Sequence, residues 1–333
     1  MQGISDLLSD KDAKVCVLSH TNPDGDALGS ALALGGILRN FGFAKVSVVM
    51  PNNFPDFLSW MPWSKDVIIG TKNPKAAMLA ITEASVIFCV DFNALERTEN
   101  LQGYLAKSKA KRVLIDHHPQ PGDSFDLYFS EVGASSTAEL VYELACLLTL
   151  ESFISLEVAE CLYAGIITDT GSLSYSCNNP RTYQIVANLV SIGVDAAYLQ
   201  RLIYNTFSEN RLRLLGFSLS ERLVVMHSCR TAYIRLGKQD LQKYSFAIGD
   251  TEGIVNYAMS IKDVDLAAIF LQYNDYVKIS FRSSGPIDVN EFARNHFNGG
   301  GHSNASGGKS PESLDETVSR FERLVLEARK PGV

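Results

Sequence analysis

Short, β-branched apolar runs alternate with stretches of helical character through the first half of the chain. Val15-Cys16-Val17-Leu18, Val46-Ser47-Val48-Val49-Met50, Val86-Ile87-Phe88-Cys89-Val90 and Arg112-Val113-Leu114-Ile115 are strand-like. A helix is predicted from about Ala27 to Asn40, and it carries three glycines between Ala27 and Leu38. Pro51-Asn52-Asn53-Phe54-Pro55 breaks the chain. Ser135-Ser136-Thr137 stands just before an apolar-periodic run from Leu140 to Leu150, where residues that cap helices are expected. Alternation of this kind predicts an α/β fold with a largely parallel sheet flanked by helices.

After the turn at Asn178-Asn179-Pro180 the character changes. Residues 181–223 read as helices rich in Leu, Arg and Tyr. Strand signals resume with Ala232-Tyr233-Ile234-Arg235, Leu266 to Leu271 and Tyr276 to Phe281, the last two separated by a hairpin signal at Gln272-Tyr273-Asn274-Asp275. Helices are predicted from about Val289 to Phe297 and between Pro311 and Ala328. The expected organisation is a first domain over 1–190, a helical linker over 191–222, and a smaller mixed-sheet α/β domain over 223–333. At 333 residues, two domains are also the prior from length alone.

Composition narrows the function classes. Hydrophobic content of 46% and charged content of 20% describe a globular chain. A net charge of −7 argues against tight electrostatic binding of long nucleic acid, which normally shows as a basic surface. No apolar run approaches the roughly 18–20 residues of a membrane span, and Met1 to Asp6 has no signal-peptide pattern. The six cysteines show no paired close spacing. A cytoplasmic, reduced protein is expected.

Four of the apolar runs end in residues of metal-ligand type. The first leads to His20 and Asn22-Pro23-Asp24-Gly25-Asp26, the run from Val86 to Asp91, and the run from Arg112 to Asp116-His117-His118. A fourth, Leu162 to Ile167, leads to Thr168-Asp169-Thr170-Gly171. Ligands gather outside the carboxyl ends of strands in an open parallel sheet. If three runs are neighbouring strands and the fourth packs beside them, five aspartates and three histidines converge. Like charges raise one another's pKa values, and cations resolve the conflict, so a cluster of divalent metals is expected. Asp91, alone at its strand end, is the natural bridge between two cations. Asp24 and Asp26, two residues apart, can each address a different one.

These segments, in this order, resemble the four motifs of the DHH phosphoesterase superfamily. Gly299-Gly300-Gly301-His302, followed by Asn304-Ala305-Ser306-Gly307-Gly308, resembles the hallmark of the DHH-associated C-terminal domain. The compact length and Ser280-Phe281-Arg282-Ser283 are similar to the NrnA-like short-oligonucleotide phosphodiesterases of that superfamily. The resemblance implies one metal on His20, Asp24 and Asp91, and another on Asp26, Asp91, His117 and Asp169. Imidazole mixed with carboxylate suits Mn²⁺. It also implies that His118 faces substrate as a proton donor or charge stabiliser. Asp116 orients an imidazole or accepts backbone N–H groups.

Arg282, Gly299, Gly300, Gly301 and His302 are expected to hold substrate phosphate or base. Arg97 has two readings, one in the cleft and one as a helix cap. Ser135-Ser136-Thr137 has a substrate-contact reading as well, but helix capping explains it sufficiently. Trp60 and Trp63, near Pro62, have two readings, a stacking surface and core or turn packing, and packing is the favoured one. The implied activity is Mn²⁺-dependent hydrolysis of short RNA or DNA oligonucleotides, of 3′-phosphoadenosine 5′-phosphate (pAp) and of linear dinucleotides such as pApA, and a homodimer is compatible with it. The C-terminal domain would grip the far end of the substrate, which favours short ones. Rival readings are a RecJ-like single-strand exonuclease, a pyrophosphatase of the same superfamily, and a nucleotide-binding sensor. The sensor would lack a ligand, and no superfamily ligand is missing.

Overall fold

The computed structural model describes residues 2–175 and 177–328. The chain divides into two compact units, Met1–Thr206 and Phe207–Val333. In the first, strands β1 (Val15–Leu18), β2 (Val46–Met50), β3 (Ile68–Ile69), β4 (Val86–Val90), β5 (Lys111–Asp116) and β6 (Leu127–Ser130) form one sheet in the order β3-β2-β1-β4-β5-β6. Every pairing in it is parallel. The helices are α1 (Gln2–Leu7), α2 (Gly25–Asn40), α3 (Pro74–Thr82), α4 (Gln102–Lys107), α5 (Thr137–Leu147), α6 (Leu156–Asp169), α7 (Pro180–Ile192) and α8 (Ala196–Tyr204).

A parallel sheet is covered on both faces, which is why its strands read as continuous apolar runs. Val15, Val17, Phe88, Val90, Val113 and Ile115 face the core built by α2, α5 and α6. The alternate residues Cys16, Leu18, Ile87, Cys89 and Leu114 face α3 and α4. Trp60 and Trp63 pack against the first of these cores.

The run Leu162 to Ile167 belongs to helix α6, not to a strand. It packs on α2 where both helices are small. A Cβ on Gly29 would stand 2.5 Å from the Cys161 carbonyl oxygen, and one on Gly165 would stand 2.9 Å from Asp26 Oδ1. Two of the glycines in α2, Gly29 and Gly36, thus permit close approach of α6, at some cost in helix propensity. Gly29→Ala is expected to destabilise the first unit by about 1–3 kcal/mol through overpacking. A shift in the urea midpoint at constant m-value checks this, and an unchanged midpoint would show that the helix pair can yield.

In the second unit, helix α9 (Glu209–Glu221) precedes β7 (Leu223–Met226) and β8 (Thr231–Leu236), followed by α10 (Lys238–Lys243) and α11 (Ile254–Met259). Then come β9 (Leu266–Gln272), β10 (Val277–Ser283), α12 (Val289–His296), β11 (Gly300–His302), β12 (Ala305–Ser310) and α13 (Leu314–Ala328). The sheet order is β11-β12-β10-β9-β8-β7. Strands β8 and β9 pair in parallel and the other neighbours are antiparallel, so this sheet is mixed. No helix among the described residues is long and apolar enough to cross a membrane.

Candidate metal and substrate site

Strands β1, β4 and β5 are immediate neighbours, so the chain segments leaving their carboxyl ends meet in one place. Asp91 turns into it from β4 with a left-handed backbone, φ 64°, a region Asp tolerates better than most residues. Asp24 caps helix α2, its Oδ1 accepting from the Asp26 and Ala27 N–H groups at 3.1 and 3.0 Å. Asp26 lies in the first turn of that helix, and Asp169 is the last residue of α6.

Two histidines present their Nε2 atoms to these carboxylates. His20 Nδ1 lies 2.9 Å from the Thr21 carbonyl oxygen, and its Nε2 lies 3.3 Å from Asp91 Oδ2. His117 Nδ1 lies 3.2 Å from the Ala134 carbonyl oxygen. Its Nε2 is 3.4 Å from Asp169 Oδ2, 3.8 Å from Asp91 Oδ1 and 3.9 Å from Asp26 Oδ2. An imidazole that spends its Nδ1–H on a backbone carbonyl leaves Nε2 as a fixed ligand atom. Ligand atoms of His20, Asp24 and Asp91 lie within 4.8 Å of one another, and so do those of Asp26, Asp91 and His117. Asp91 is common to both groups, with Oδ2 toward His20 and Oδ1 toward His117.

The third histidine has a different partner. His118 Nδ1 is 2.7 Å from Asp116 Oδ1, a buried carboxylate at the end of β5. Asp116 therefore holds the His118 ring. Arg97 is half-buried beside β1, its backbone carbonyl accepting from the Thr21 N–H at 2.8 Å.

The carboxylates of the cluster destabilise one another. Burial, then the charges of Asp91 and Asp24, push the Asp26 carboxyl well above the ordinary range, against the N–H donors of Ala138 and Thr137. Burial likewise raises Asp91, reinforced by Asp24, Asp116 and Asp169 and opposed by the Thr137 hydroxyl. Burial works to raise Asp24 as well, but His20, the Ala27 N–H, His118 and Arg97 hold it below its usual value. His20 is lowered to about 4 by burial and by Arg97. His118 falls well below the usual histidine value through burial, His117 and Arg97. Neutral imidazoles facing destabilised carboxylates form a donor set suited to divalent cations.

Several supporting residues carried no signal of this kind in the sequence. Asp26 Oδ2 accepts from the Thr137 N–H at 2.6 Å and Oδ1 from the Ala138 N–H at 2.9 Å. The Thr137 hydroxyl donates to Asp91 Oδ1 at 2.9 Å. Ser136 does cap α5, as its position predicts, by accepting from the Glu139 N–H at 3.1 Å. Its neighbour reaches into the carboxylate cluster.

In the second unit, register aligns two of the expected substrate residues. Arg282 pairs with Ala305 across β10 and β12, and Ala305 pairs with His302 across β12 and β11. Directly opposed antiparallel residues share a face, so Arg282 and His302 flank Ala305 on one side of the sheet. Gly299 precedes β11 and Gly300 and Gly301 are part of it, so the triplet is not a loose turn. A Cβ on Gly299 would collide with the Gly307 carbonyl, and Gly301 has φ 150°. The Gly299 N–H donates to the Ala293 carbonyl at 3.2 Å and the Gly301 N–H to Asn290 Oδ1 at 3.0 Å. These two N–H groups serve the domain itself, and close packing requires glycine at 299 and 301.

The DHH family model, described as its N-terminal domain, matches residues 14–166, and the DHHA1 domain matches residues 241–327. The bifunctional oligoribonuclease and PAP phosphatase NrnA of Bacillus subtilis is 27% identical over 320 residues, covering 92% of this chain and 93% of its own. NrnA of Mycoplasma genitalium is 30% identical over 301 residues, covering 88% and 87%. The crystal structure of an exopolyphosphatase-related protein from Bacteroides fragilis superposes with a TM-score of 0.91 at 41% identity, covering 98% of this chain and 96% of that one. The chain belongs to the DHH family of phosphoesterases, in the form that carries a DHHA1 domain after the DHH domain.

Proposed function

We propose that the protein hydrolyses short oligonucleotides, linear dinucleotides such as pApA, and pAp, with two divalent cations, Mn²⁺ foremost, on the residues that converge at β1, β4 and β5. The observation that carries this reading is Asp91, one carboxylate whose two oxygens face two separate ligand groups. His20, Asp24 and Asp91 would hold one cation, and Asp26, Asp91, His117 and Asp169 the other. Bound there, the pair would supply Lewis-acid stabilisation of charge building on phosphoryl oxygens and would lower the pKa of the attacking water.

The chain's own groups supply the rest. His118 is oriented by Asp116 through Nδ1, and Nε2 is assigned as its proton-carrying nitrogen. Burial, His117 and Arg97 lower its proton affinity, and a phosphate's negative charge acts in the opposite direction. With substrate present, His118 can therefore hold a proton at Nε2 for the leaving oxygen. Arg97 adds fixed positive charge. Arg282 and His302 are assigned to the non-reacting phosphate or base. The names of the Bacillus and Mycoplasma relatives support this substrate class. Six free thiols support a reducing, cytoplasmic setting.

Phosphate release from pAp, pApA and a five-nucleotide RNA, with and without added Mn²⁺, tests the reading. Turnover of all three that disappears on chelation is expected. Hydrolysis of inorganic polyphosphate in their place would overturn the nucleotide assignment. Removal of a contact made equally in ground and transition states raises KM and spares kcat. Arg282→Ala and His302→Ala are accordingly expected to bind Mn²⁺ as the wild type does and to lose kcat/KM on pAp and oligonucleotides. On bis-p-nitrophenyl phosphate, which has neither a second phosphate nor a base, the loss should be much smaller. Equal losses on both substrate types would place these residues at the chemical centre.

A further inference from the structure

Asp91 holds a position in which small errors of orientation matter, because each of its oxygens addresses a different ligand group. Its own strand does not fix the side chain, since the chain leaves β4 at this residue in a left-handed turn. The restraint comes from the start of α5. The Thr137 hydroxyl donates to Oδ1 at 2.9 Å, on the side facing His117, and leaves Oδ2 to the His20 side. The same turn grips Asp26, whose two oxygens accept from the Thr137 and Ala138 N–H groups. One helical turn thus sets both of the most deeply buried carboxylates in the cluster that also face an imidazole Nε2.

Helix capping alone does not account for this. The capping acceptor is Ser136, one residue earlier, and α5 has no use for a hydroxyl at 137. Thr137 is completely buried, so its hydroxyl is not there for solvent either. The turn is in addition held from behind. Glu139, 1% exposed, accepts at Oε2 from the Ser135 N–H at 3.2 Å, the Ser135 hydroxyl at 2.5 Å and the Thr182 hydroxyl of α7 at 2.8 Å. A carboxylate is retained at such depth only when donors satisfy it. Here those donors tie the segment before α5 to a second helix. The result is a rigid support in which Glu139 fixes the turn and the turn fixes Asp91 and Asp26.

We infer that Thr137 is a positioning residue of the two-cation site, acting through Asp91 Oδ1, and that Glu139 clamps the turn that presents it. This rests on the reading of Asp26 and Asp91 as ligands. Groups that orient metal ligands typically contribute 10–100-fold to metal affinity. Valine fills nearly the same volume as threonine and keeps the backbone N–H that holds Asp26. Thr137→Val therefore removes one O–H···O bond and little else, whereas Thr137→Ser restores the donor.

The test is calorimetric titration of Mn²⁺ into chelator-treated protein, with the melting temperature of the metal-free protein measured alongside. Wild type is expected to bind two equivalents. T137V should bind at least one of them about 10–100-fold more weakly while its metal-free melting temperature stays near wild type, and T137S should titrate like wild type. A T137V isotherm that superimposes on the wild-type one would overturn the inference while the metal reading stands. Wild-type protein that takes up no Mn²⁺ would overturn the metal reading, and this inference with it. If T137V does not fold, T137A, which also lacks the hydroxyl, is titrated in its place under the same two outcomes.

Discussion

Asp91→Ala is expected to abolish turnover and to remove both equivalents of bound Mn²⁺ together. The residue is 2% exposed and its two oxygens face separate ligand groups, so no neighbouring side chain can take over for both. Loss of one electrostatic donor in an active site typically costs 10²–10³ in rate. Loss of a carboxylate shared by two cations should cost more, at least about 10³-fold on that scale. Asp91→Asn separates charge from shape. Its oxygen can still accept from the Thr137 hydroxyl, but a neutral amide no longer repels Asp24, Asp116 and Asp169.

The metal-free D91N protein should therefore melt at a higher temperature than metal-free wild type. Added Mn²⁺ should reverse that order, because a ligand that binds only the native state stabilises it by about 2.7 kcal/mol at a hundred times its Kd, and the mutant forfeits this. Melting curves with and without Mn²⁺ give both signs in one experiment. A mutant that keeps the wild-type metal stoichiometry would remove Asp91 from the centre of the site.

The strands and the polar residues that follow them were legible because a parallel sheet imposes a simple rule. Continuous apolar runs are buried on both faces, and whatever follows their carboxyl ends shares one crevice. His20, Asp24, Asp26, Asp91, Asp116, His117 and His118 could be assembled from that rule before any distance was known. The run at Leu162 to Ile167 shows its limit. It is buried all round within α6, and a fully apolar segment has no period that separates helix from strand.

The supports were not legible for a different reason. Thr137 and Ala138 hold Asp26 across 111 and 112 positions of sequence, and a Ser-Ser-Thr segment before a helix is already explained by capping. Asp116 offered two roles, and only the 2.7 Å approach to His118 Nδ1 distinguishes them. The glycine triplet was read for what it could offer a ligand. Its local environment adds a packing reason at two of the three positions, since a Cβ would collide with the Gly307 carbonyl oxygen at Gly299 and stand 2.7 Å from the Ala305 carbonyl oxygen at Gly301. Local pattern reports which backbone a segment adopts, whereas long-range hydrogen bonds decide which of its polar atoms remain for chemistry.

The two adjacent histidines should separate cleanly. His117 Nε2 points at Asp169, Asp91 and Asp26 and its Nδ1 is used on the Ala134 carbonyl. Removal of this ring takes a ligand atom from one group, so His117→Ala should weaken Mn²⁺ binding itself. Excess Mn²⁺ should then recover part of the lost rate. His118 is held by Asp116 through Nδ1, and its Nε2 is assigned to the reaction rather than to a cation.

His118→Ala is expected to keep wild-type Mn²⁺ affinity while kcat falls by roughly 10²–10⁴, the usual contribution of a general acid or base. No excess of metal should rescue it. A substrate whose leaving group needs no proton, such as a p-nitrophenyl ester, should suffer a much smaller loss, since the deleted step is then dispensable. Titration of Mn²⁺ into both variants, paired with rates on the two leaving groups, decides the assignment. Equal loss of metal affinity in the two variants would make His118 a ligand. Equal rate loss on both leaving groups would leave it stabilising charge on the phosphoryl group, with no proton to deliver.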